Sequence, residues 1–187
     1  MSAASPWIVR FAPLVPAGAA VLDLACGQGR HTRFFLDRGH PVTAVDRDVA
    51  GLDDIADRPN LEILNADLED GSPWPLAGRR FGAVVVVNYL WRPLFPDIID
   101  SVDAGGVLLY DTFALGNEAY GRPGNPDFLL RPCELIDLVR DRLQIVAYEH
   151  GYLERPRPMV RQRICGARAE RPVGLGVDLG AGGRSAA

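Results

Sequence analysis

Two glycines and one aspartate have the spacing of a site for a nucleoside. Gly27 and Gly29 follow the apolar residues 21–25, and a glycine turn after a strand lets a ligand approach the backbone closely. Asp46 ends a second apolar segment, 17 residues after Gly29, where a carboxylate can accept hydrogen bonds from both ribose hydroxyls. Two spaced glycines also occur in ordinary turns, so it is the three residues together that predict a nucleoside-binding loop.

Missing residue types exclude several other nucleotide chemistries. All 20 basic residues are arginine, so neither a Walker-type phosphate loop nor a Schiff-base mechanism has the lysine that it needs. Position 32 is threonine, which leaves the G-x-G-x-x-G fingerprint of dinucleotide-binding proteins incomplete. A nicotinamide-dependent oxidoreductase is therefore disfavoured, but it stays open as an alternative.

An α/β sheet must position these residues, because apolar strand-like segments alternate with helix-like segments along the chain. Predicted strands cover residues 21–25, 41–45, 61–64, 81–87, 107–113, 143–149 and 159–169. Predicted helices cover 30–38, 49–56, 93–102 and 132–142, with a short helix or turn at 6–15. The link at 155–158 is too short to cross over between parallel strands, so the last two strands should form an antiparallel hairpin.

Ligands of such sheets bind beyond the carboxyl ends of the strands. This rule places five segments on one functional edge, namely 26–32, 46–48, 67–69, 88–92 and 114–130. The last of them is irregular and 17 residues long, which exceeds ordinary connections and is typical of functional lids. We therefore expect 114–130 to be an insertion on the substrate side.

Four segments resemble, in order, the motifs of class I S-adenosylmethionine-dependent methyltransferases. Residues 23–32 resemble the first motif, acidic-x-x-x-Gly-x-Gly, and residues 42–46 resemble the second, which ends on the ribose-binding acid. Residues 65–68 resemble the segment that meets the adenine, and residues 85–90 resemble the fourth motif, where the chain passes the methyl donor. The likeness spans about residues 18–170, and the subgroup it most resembles is the small bacterial methyltransferases of the tellurite-resistance type.

The resemblance implies a fold, a cofactor and a set of binding residues. The implied fold is an α/β, Rossmann-like three-layer sandwich with a seven-stranded, mostly parallel sheet whose last strand is antiparallel. The implied cofactor is S-adenosyl-L-methionine, and no metal site is expected. The implied cofactor-binding residues are Asp23, Ala25, Cys26, Gly27, Gly29, His31, Asp46, Arg47, Asp67, Leu68, Asn88 and Tyr89.

Four of these residues also have ordinary structural explanations. Asp23 could be a buried acid that only ties down the following loop, and Asp46 could be a helix N-cap. Asp67 could be a surface loop residue, and His31 could be a residue of a first helical turn. A non-catalytic module that only binds the cofactor also stays open, since no sequence feature excludes it.

The sequence says less about the methyl acceptor than about the cofactor. The methyl donor is already activated, so aligning donor and acceptor accounts for much of the rate acceleration and requires few particular side chains. A general base is needed only where the accepting atom must lose a proton. His150 is the best candidate for that base, since the unperturbed pKa of histidine lies near neutrality, although a lone histidine near a hairpin is more often structural. Tyr89 is the other catalytic candidate. Further acceptor-side candidates are Asn88, Trp91, Arg92, Tyr120 and Arg122.

Composition restricts the partners and the location. The net charge is −4, so phosphate neutralisation gives no reason to expect a nucleic acid, and a small-molecule acceptor is expected. No apolar stretch is long enough to span a bilayer, and three widely spaced cysteines suit a reducing cytoplasm. The oligomeric state has no signature in the sequence. Residues 1–171 are expected to form a single domain, followed by a Gly/Ala-rich tail at 172–187.

Overall fold

Seven strands form one sheet between two layers of short helices in the computed structural model, which describes residues 3–174. The strands are β1 (Val21–Leu24), β2 (Val42–Asp46), β3 (Leu61–Asn65), β4 (Phe81–Val87), β5 (Val102–Phe113), β6 (Gln144–Leu153) and β7 (Met159–Ala167). The helices are α1 (Pro6–Phe11), α2 (Arg30–Leu36), α3 (Phe95–Asp100) and α4 (Glu134–Val139).

The strand order is β3-β2-β1-β4-β5-β7-β6. Strands β1 to β5 pair in parallel, and β7 is antiparallel to both of its neighbours, β5 and β6. After β3 the chain crosses to the other side of β1 and continues with β4, which creates the switch point where ligands of open α/β sheets bind. The predicted fold, including the antiparallel last strand, is confirmed.

Both faces of the central strands are apolar, as expected for parallel strands that are covered on two sides. All seven residues of β4 are buried. Because successive side chains of a strand point to opposite faces, Val21 and Val85 pack on the side of α1 and α2, whereas Leu22 and Val84 pack on the side of α3 and α4. This packing fixes the carboxyl ends of β1 and β4, which lead into the functional edge.

One predicted helix is of a different type. Residues 49–56 form a 3-10 helix over Ala50–Ile55 rather than an α-helix. Gly51 lies so close to the preceding loop that an added Cβ would be 2.8 Å from the Cα of Gln28. Glycine and aspartate are also poor helix formers, so close packing against the loop decides the local conformation in favour of the tighter helix.

Two other predicted helices are shorter than expected. The helix expected at 93–102 is α-helical only as far as Asp100, because Val102 already pairs with Phe81 as the first residue of β5. The helix expected at 132–142 begins only at Glu134, because Cys133 before it has a left-handed backbone with φ of 62°. Strand pairing and a left-handed backbone turn therefore determine these two helix ends, which the hydrophobic periodicity of the sequence did not predict.

The irregular segment 114–130 is held against the sheet edge. Arg92 donates a hydrogen bond to the carbonyl of Leu129 at 2.9 Å, and the buried Asn117 accepts one from the backbone N–H of Val160 at 3.2 Å. None of residues 114–130 lines the three clefts described below. These contacts fix the segment on the sheet edge with Arg92 as an anchor, and its role as a substrate-side insertion stays a prediction.

Two expectations about the chain as a whole have different outcomes. Most of the predicted tail at 172–187 lies outside the described residues, so the tail and the domain boundary at 171 stay predictions. Within residues 3–174, no helix has both the length and the apolar character that crossing a bilayer requires.

Candidate functional site

A cleft of about 250 Å³ opens where β1, β2, β3 and β4 end, and we call it the Asp46 cleft. It is lined by Ala25, Asp46, Arg47, Ala66, Asp67, Leu68, Glu69, Asn88 and Tyr89. Seven of these nine residues were predicted from the sequence as cofactor-binding residues, and the other two, Ala66 and Glu69, were not. The carboxyl ends of four parallel strands thus bring the predicted motifs to one place.

The carboxylate of Asp46 connects the first loop to the second. It accepts hydrogen bonds from the backbone N–H groups of Gly27 at 2.8 Å and of Asp48 at 3.0 Å, one on each oxygen. A carboxylate has about four lone-pair positions, so each oxygen can still accept a further hydrogen bond. The alternative of a helix N-cap is wrong, because Val49 is the residue before the 3-10 helix and no side chain caps it.

Asp67 is both a loop residue and part of the Asp46 cleft. Its side chain accepts a hydrogen bond from the backbone N–H of Glu69 at 2.9 Å, as aspartate often does in turns. The bond stabilises the turn after β3 and keeps the neighbouring Leu68 along the cleft wall. The ordinary explanation for Asp67 and a place in the site are therefore compatible.

Backbone strain is concentrated at the same edge. Ala25 and Asn88 have positive φ angles of 53° and 60°, which cost side chains other than glycine about 1 kcal/mol or more. Ala25 follows β1 and Asn88 follows β4, the two strands that pair at the centre of the sheet. Two of the three such residues in the described chain thus line one cleft, and strain of this kind often accompanies ligand binding.

A second cleft, of about 370 Å³, lies along the glycine loop, and we call it the loop cleft. It is lined by Ala25, Cys26, Gly27, Gln28, Arg30, His31, Val87 and Asn88. Gly27 has φ of 53°, and a Cβ added there would meet nothing within 4 Å. Gly29 has φ of 70°, and its added Cβ would lie 2.1 Å from Cδ2 of Leu52. The first glycine leaves space above the loop, whereas the second allows close packing beneath it.

Gly27→Ala and Gly29→Ala are therefore expected to have different effects. Each substitution puts a Cβ on a left-handed residue, at a cost of roughly 1–2 kcal/mol. Gly29→Ala should lose a further 1–3 kcal/mol, roughly, because Leu52 must move, whereas Gly27→Ala should mainly weaken binding of a ligand above the loop. Urea denaturation and equilibrium binding of S-adenosylhomocysteine measure the two effects. Equal destabilisation of the two variants would contradict the packing at Gly29.

Asp23 lies beneath the loop rather than in either cleft. The residue is 1% exposed, and its carboxylate accepts a hydrogen bond from the hydroxyl of Thr32 at 2.6 Å. Burial raises the pKa of Asp23 to about 6, against the opposing effect of the Thr32 hydrogen bond. The contacts favour the alternative in which Asp23 is a buried acid that ties the loop and the start of α2 to β1.

His31 connects the loop cleft to the N-terminal helix. Its Nε2 accepts a hydrogen bond from the backbone N–H of Ser5 at 3.1 Å, and Ser5 in turn caps α1. Burial, together with the positive charge of Arg30, lowers the pKa of His31 to about 4. The imidazole is therefore neutral at neutral pH, and the nitrogen that could act as a base is already bonded to the chain.

The depressed pKa of His31 predicts a loss of stability in acid. Because the unfolded chain takes up a proton at a higher pH than the folded chain does, the contribution of neutral His31 is complete above about pH 6.5 and is lost as the pH falls towards 4. The loss should approach roughly 3 kcal/mol. The raised pKa of Asp23 acts in the opposite direction between about pH 4 and 6, so wild type alone cannot separate the two effects.

Comparison with His31→Gln separates them, since glutamine can also accept the Ser5 hydrogen bond but does not titrate. Urea denaturation at several pH values between 4 and 7 gives the free energy of unfolding of both proteins. On acidification from pH 7 to 4, we expect the free energy of unfolding of wild type to fall by roughly 3 kcal/mol relative to that of the variant. A difference that stays constant over this range would contradict burial of a neutral imidazole.

A third cleft, of about 260 Å³, lies beside the other two on the side of β5 and β7. We call it the arginine cleft, because five arginines line it: Arg30, Arg155, Arg157, Arg161 and Arg163. Asn88 lines the Asp46 cleft, the loop cleft and the arginine cleft. The three spaces therefore meet at one residue, at the carboxyl end of the central strand β4.

A buried carboxylate organises the inner wall of the arginine cleft. Oδ1 of Asp111 accepts hydrogen bonds from Nε of Arg161 at 2.6 Å and from Nε of Arg163 at 3.1 Å. Oδ2 of Asp111 accepts one from the hydroxyl of Ser5 at 2.8 Å. Arg161 also donates to Oδ1 of Asn88 at 2.8 Å. Asp111 and Arg161 thus fix the side chain of the residue where the three clefts meet.

Tyr89 lines the Asp46 cleft, away from the arginine cleft. Its hydroxyl is buried and has no hydrogen-bond partner among the described residues. Burial, together with the charge of Glu69, raises the pKa of Tyr89, so the phenol stays protonated at neutral pH. Tyr89 can therefore donate a hydrogen bond at the wall of the Asp46 cleft, and its catalytic role stays a prediction.

His150 is not brought together with the other predicted residues. It lies on the edge strand β6 and pairs with Gln162 of β7, whose side chain bonds to the backbone of Leu135 in α4. Because directly opposed residues point to the same face and neighbours alternate, the side chain of His150 lies on the opposite face of the hairpin from those of Arg161 and Arg163, although all three residues line one groove. Its groove is separate from the Asp46 cleft, and a base role for His150 stays a prediction.

The remaining residues predicted for the site lie at different places in the structure. Arg47 is exposed at the Asp46 cleft, and Cys26 is buried at the loop cleft. Tyr120 stacks on Tyr152 with ring centroids 5.1 Å apart, and the carbonyl of Arg122 accepts a hydrogen bond from Arg157 at 3.5 Å. Trp91 is half-buried and lines none of the three clefts. Tyr120 and Arg122 therefore pack at the outer end of the hairpin.

Sequence reasoning did not find the arginine cleft, although one signal was available. Arg161 and Arg163 are two residues apart on a predicted strand, which puts them on one face. Arg155 and Arg157 have the same spacing at the preceding turn. The region of the chain that the structure describes contains no group of three or more His, Cys, Asp or Glu side chains placed to hold a metal ion.

Comparison with known proteins agrees with this geometry. A family model described as "Methyltransferase domain" matches residues 21–104, which include β1 to β4 and the loops that form the Asp46 cleft. Residues 21–104 are thus similar to methyltransferase domains. The family resemblance seen in the sequence is thereby confirmed, and the oxidoreductase alternative is not favoured. No curated protein matches the chain.

Solved structures of methyltransferases share the fold of this chain. TehB from Haemophilus influenzae is 19% identical with a TM-score of 0.72, over 90% of this chain and 63% of that chain. A Burkholderia thailandensis 1,6-didemethyltoxoflavin-N1-methyltransferase, with its substrate and S-adenosylhomocysteine bound, is 19% identical with a TM-score of 0.64, over 88% and 76%. The glycopeptide N-methyltransferase MtfA, complexed with S-adenosylhomocysteine, is 21% identical with a TM-score of 0.61, over 89% and 90%. The chain thus spans less than two thirds of the length of the TehB chain.

Proposed function

We propose that the domain binds S-adenosyl-L-methionine in the Asp46 and loop clefts and transfers its methyl group to a small molecule in the arginine cleft. One observation carries the proposal: a cleft with the features of a nucleoside site and a separate, charged cleft meet at Asn88. Two structural neighbours were crystallised with S-adenosylhomocysteine, the demethylated product. That product in related folds supports the same cofactor here.

The residues of the two cofactor clefts fit such a cofactor. In the proposal, Asp46 accepts the ribose hydroxyls with the lone pairs that Gly27 and Asp48 leave free. Asp67 and Leu68 hold the adenine, and the open space above Gly27 takes the amino-acid part. Asp23 acts only through the loop that it holds in place.

Methyl transfer requires mainly that the methyl donor and the acceptor are aligned. The bound cofactor supplies a sulfonium-activated methyl group: its S–CH₃ bond breaks as an acceptor lone pair forms the new bond, and the sulfonium becomes a thioether. Asn88, fixed by Arg161, marks the passage between donor and acceptor clefts. Such positioning accounts for much of the acceleration of a two-substrate displacement.

Within residues 3–174, the buried titratable groups near Asn88 are not placed to remove a proton at neutral pH. Both oxygens of Asp111 accept hydrogen bonds, from Arg161 and Arg163 on Oδ1 and from Ser5 on Oδ2. His31 has a pKa of about 4 and an occupied Nε2. Burial raises the pKa values of Tyr89 and Cys26, so both stay protonated. The proposal therefore gives the acceptor's own lone pair the role of nucleophile, and any proton that leaves passes to solvent.

Equilibrium dialysis with tritium-labelled S-adenosylmethionine and with labelled NAD tests the cofactor. We expect S-adenosylmethionine to bind and NAD not to bind, and the reverse result would overturn the proposal. Release of S-adenosylhomocysteine in the presence of candidate acceptors then tests the activity. Tight cofactor binding with no release for any acceptor would favour the non-catalytic module.

A further inference from the structure

We propose that the arginine cleft recognises its acceptor as a small organic carboxylate, with the carboxylate on the arginines and an apolar body against Phe113 and Met159. This inference rests on the proposed function and names the class of its substrate. It follows from the charge of the cleft, its walls and its position.

The charge of the cleft opposes the charge of the chain. The chain has a net charge of −4, yet five arginines and only one carboxylate, Asp111, line this cleft. Within residues 3–174, Arg30, Arg155 and Arg157 form no ion pair with a carboxylate, in contrast to Arg161 and Arg163. A concave surface lined by one sign of charge concentrates ligands of the opposite sign.

Part of this positive charge is taken out of water. Arg161 and Arg163 share Asp111, and their side chains are 7% and 15% exposed. Arg163 also pairs with the exposed Glu149 at 3.3 Å, which is itself shared with Arg10, so Asp111 is the one buried carboxylate for two buried guanidinium groups. Burial lowers the pKa of Arg161, against the attraction of Asp111, and the charges of Arg163 and Arg30 lower it further. This excess of buried positive charge adds to the positive potential that a carboxylate bound by Arg155 and Arg157 experiences.

The walls of the cleft favour an organic anion over an inorganic one. Phe113, Leu153 and Met159 line the cleft together with the arginines, and the guanidinium of Arg161 lies 4.5 Å from the ring centroid of Phe113. The planar arginine side chain can bind a carboxylate with two parallel hydrogen bonds. Since the volume of about 260 Å³ falls below the roughly 300–1,000 Å³ of pockets for drug-sized ligands, the acid is small.

The position of the cleft makes the anion an acceptor rather than a distant effector. Asn88 and Arg30 each line both the arginine cleft and the loop cleft. A molecule held by Arg155 and Arg157 at the outer end therefore extends towards Asn88, where the proposed cofactor site begins. The carboxylate is the recognised end, and the accepting atom lies on the part that faces Asn88.

Matched acids and amides test the inference in the full chain saturated with S-adenosylhomocysteine. Benzoate is compared with benzamide, and phenylacetate with phenylacetamide, because each pair has nearly the same shape and only the acid is charged. We expect calorimetry to give each acid an affinity about tenfold or more above that of its amide. We expect sulfate to bind more weakly than the acids, because it has no apolar part for the Phe113 wall.

Substitution of exposed arginines tests which side chains bind the carboxylate. Arg155→Gln and Arg157→Gln should each reduce the acid preference by about threefold or more, whereas Arg140→Gln, an exposed arginine paired with Asp137 outside the cleft, should not change it. Equal binding of acid and amide, no binding of any acid, or sulfate binding as tightly as the acids would overturn the inference. Failure of S-adenosylhomocysteine itself to bind, measured first, would instead overturn the proposed function.

Discussion

Asp46→Ala is expected to weaken binding of S-adenosylhomocysteine by roughly 1.5–3 kcal/mol, or about ten- to 150-fold. The substitution removes the charged group that we propose accepts hydrogen bonds from the ribose hydroxyls. It also releases the Gly27 N–H, which now donates to the Asp46 carboxylate at 2.8 Å, so the loop loses an anchor. Isothermal titration calorimetry measures the affinity directly.

Two further variants separate charge from loop geometry. Asp46→Asn keeps one acceptor oxygen, so we expect a loss of affinity smaller than that of alanine. Asp57→Ala removes an exposed aspartate from the turn before β3 and should leave the affinity unchanged. If Asp46→Ala binds the ligand as wild type does and keeps its fold by circular dichroism, the ribose assignment is incorrect.

The strands were predictable from the sequence, whereas several helices were not. β4 has the predicted bounds, because a run of apolar residues with no polar interruption fits only a strand covered on both faces. The 3-10 helix Ala50–Ile55 could not be anticipated, because its conformation depends on contact with Gln28 in a distant loop. Periodicity reports which face of an element is apolar, and it does not report what the element packs against.

The same division holds for the site. Asp46, Asp67 and Asn88 each follow a parallel strand, so strand order alone brings them together at one edge. Whether a residue of the β6–β7 hairpin lines the arginine cleft depends instead on the face of the hairpin that its side chain occupies. His150 and Arg161 come from strands that pair next to each other, yet their side chains point to opposite faces, and a shift of one residue would exchange them.

Net charge also concealed the character of the arginine cleft. A value of −4 for the whole chain gave no reason to expect long phosphate-binding surfaces, but it is an average over the surface. The arginine cleft collects Arg30 from the first loop and four arginines from the hairpin and its turn. Only the fold brings these charges together, so no composition summary could reveal them.

Asp111→Asn is expected to be the most destabilising single change in the site. Asp111 is 2% exposed and is the shared ion-pair partner of Arg161 and Arg163. Asparagine would keep the hydrogen bonds in part but leave Arg161 without a carboxylate partner and Arg163 with only the exposed Glu149. Loss of a buried counter-charge costs roughly 3–5 kcal/mol. Urea denaturation, with the slope of the transition as a check on two-state unfolding, gives the loss in free energy of unfolding.

Arg161→Gln should cost less than Asp111→Asn, because Asp111 then retains a one-to-one pair with Arg163 and the excess positive charge disappears. Asp37→Asn serves as the control, since its ion pair with Arg58 is exposed and should contribute no more than about 1 kcal/mol. The reverse order, with Arg161→Gln the more destabilising, would mean that Arg161 acts through packing on Phe113 rather than through charge. The order of the two losses therefore tests whether this cleft carries the uncompensated positive charge on which anion recognition depends.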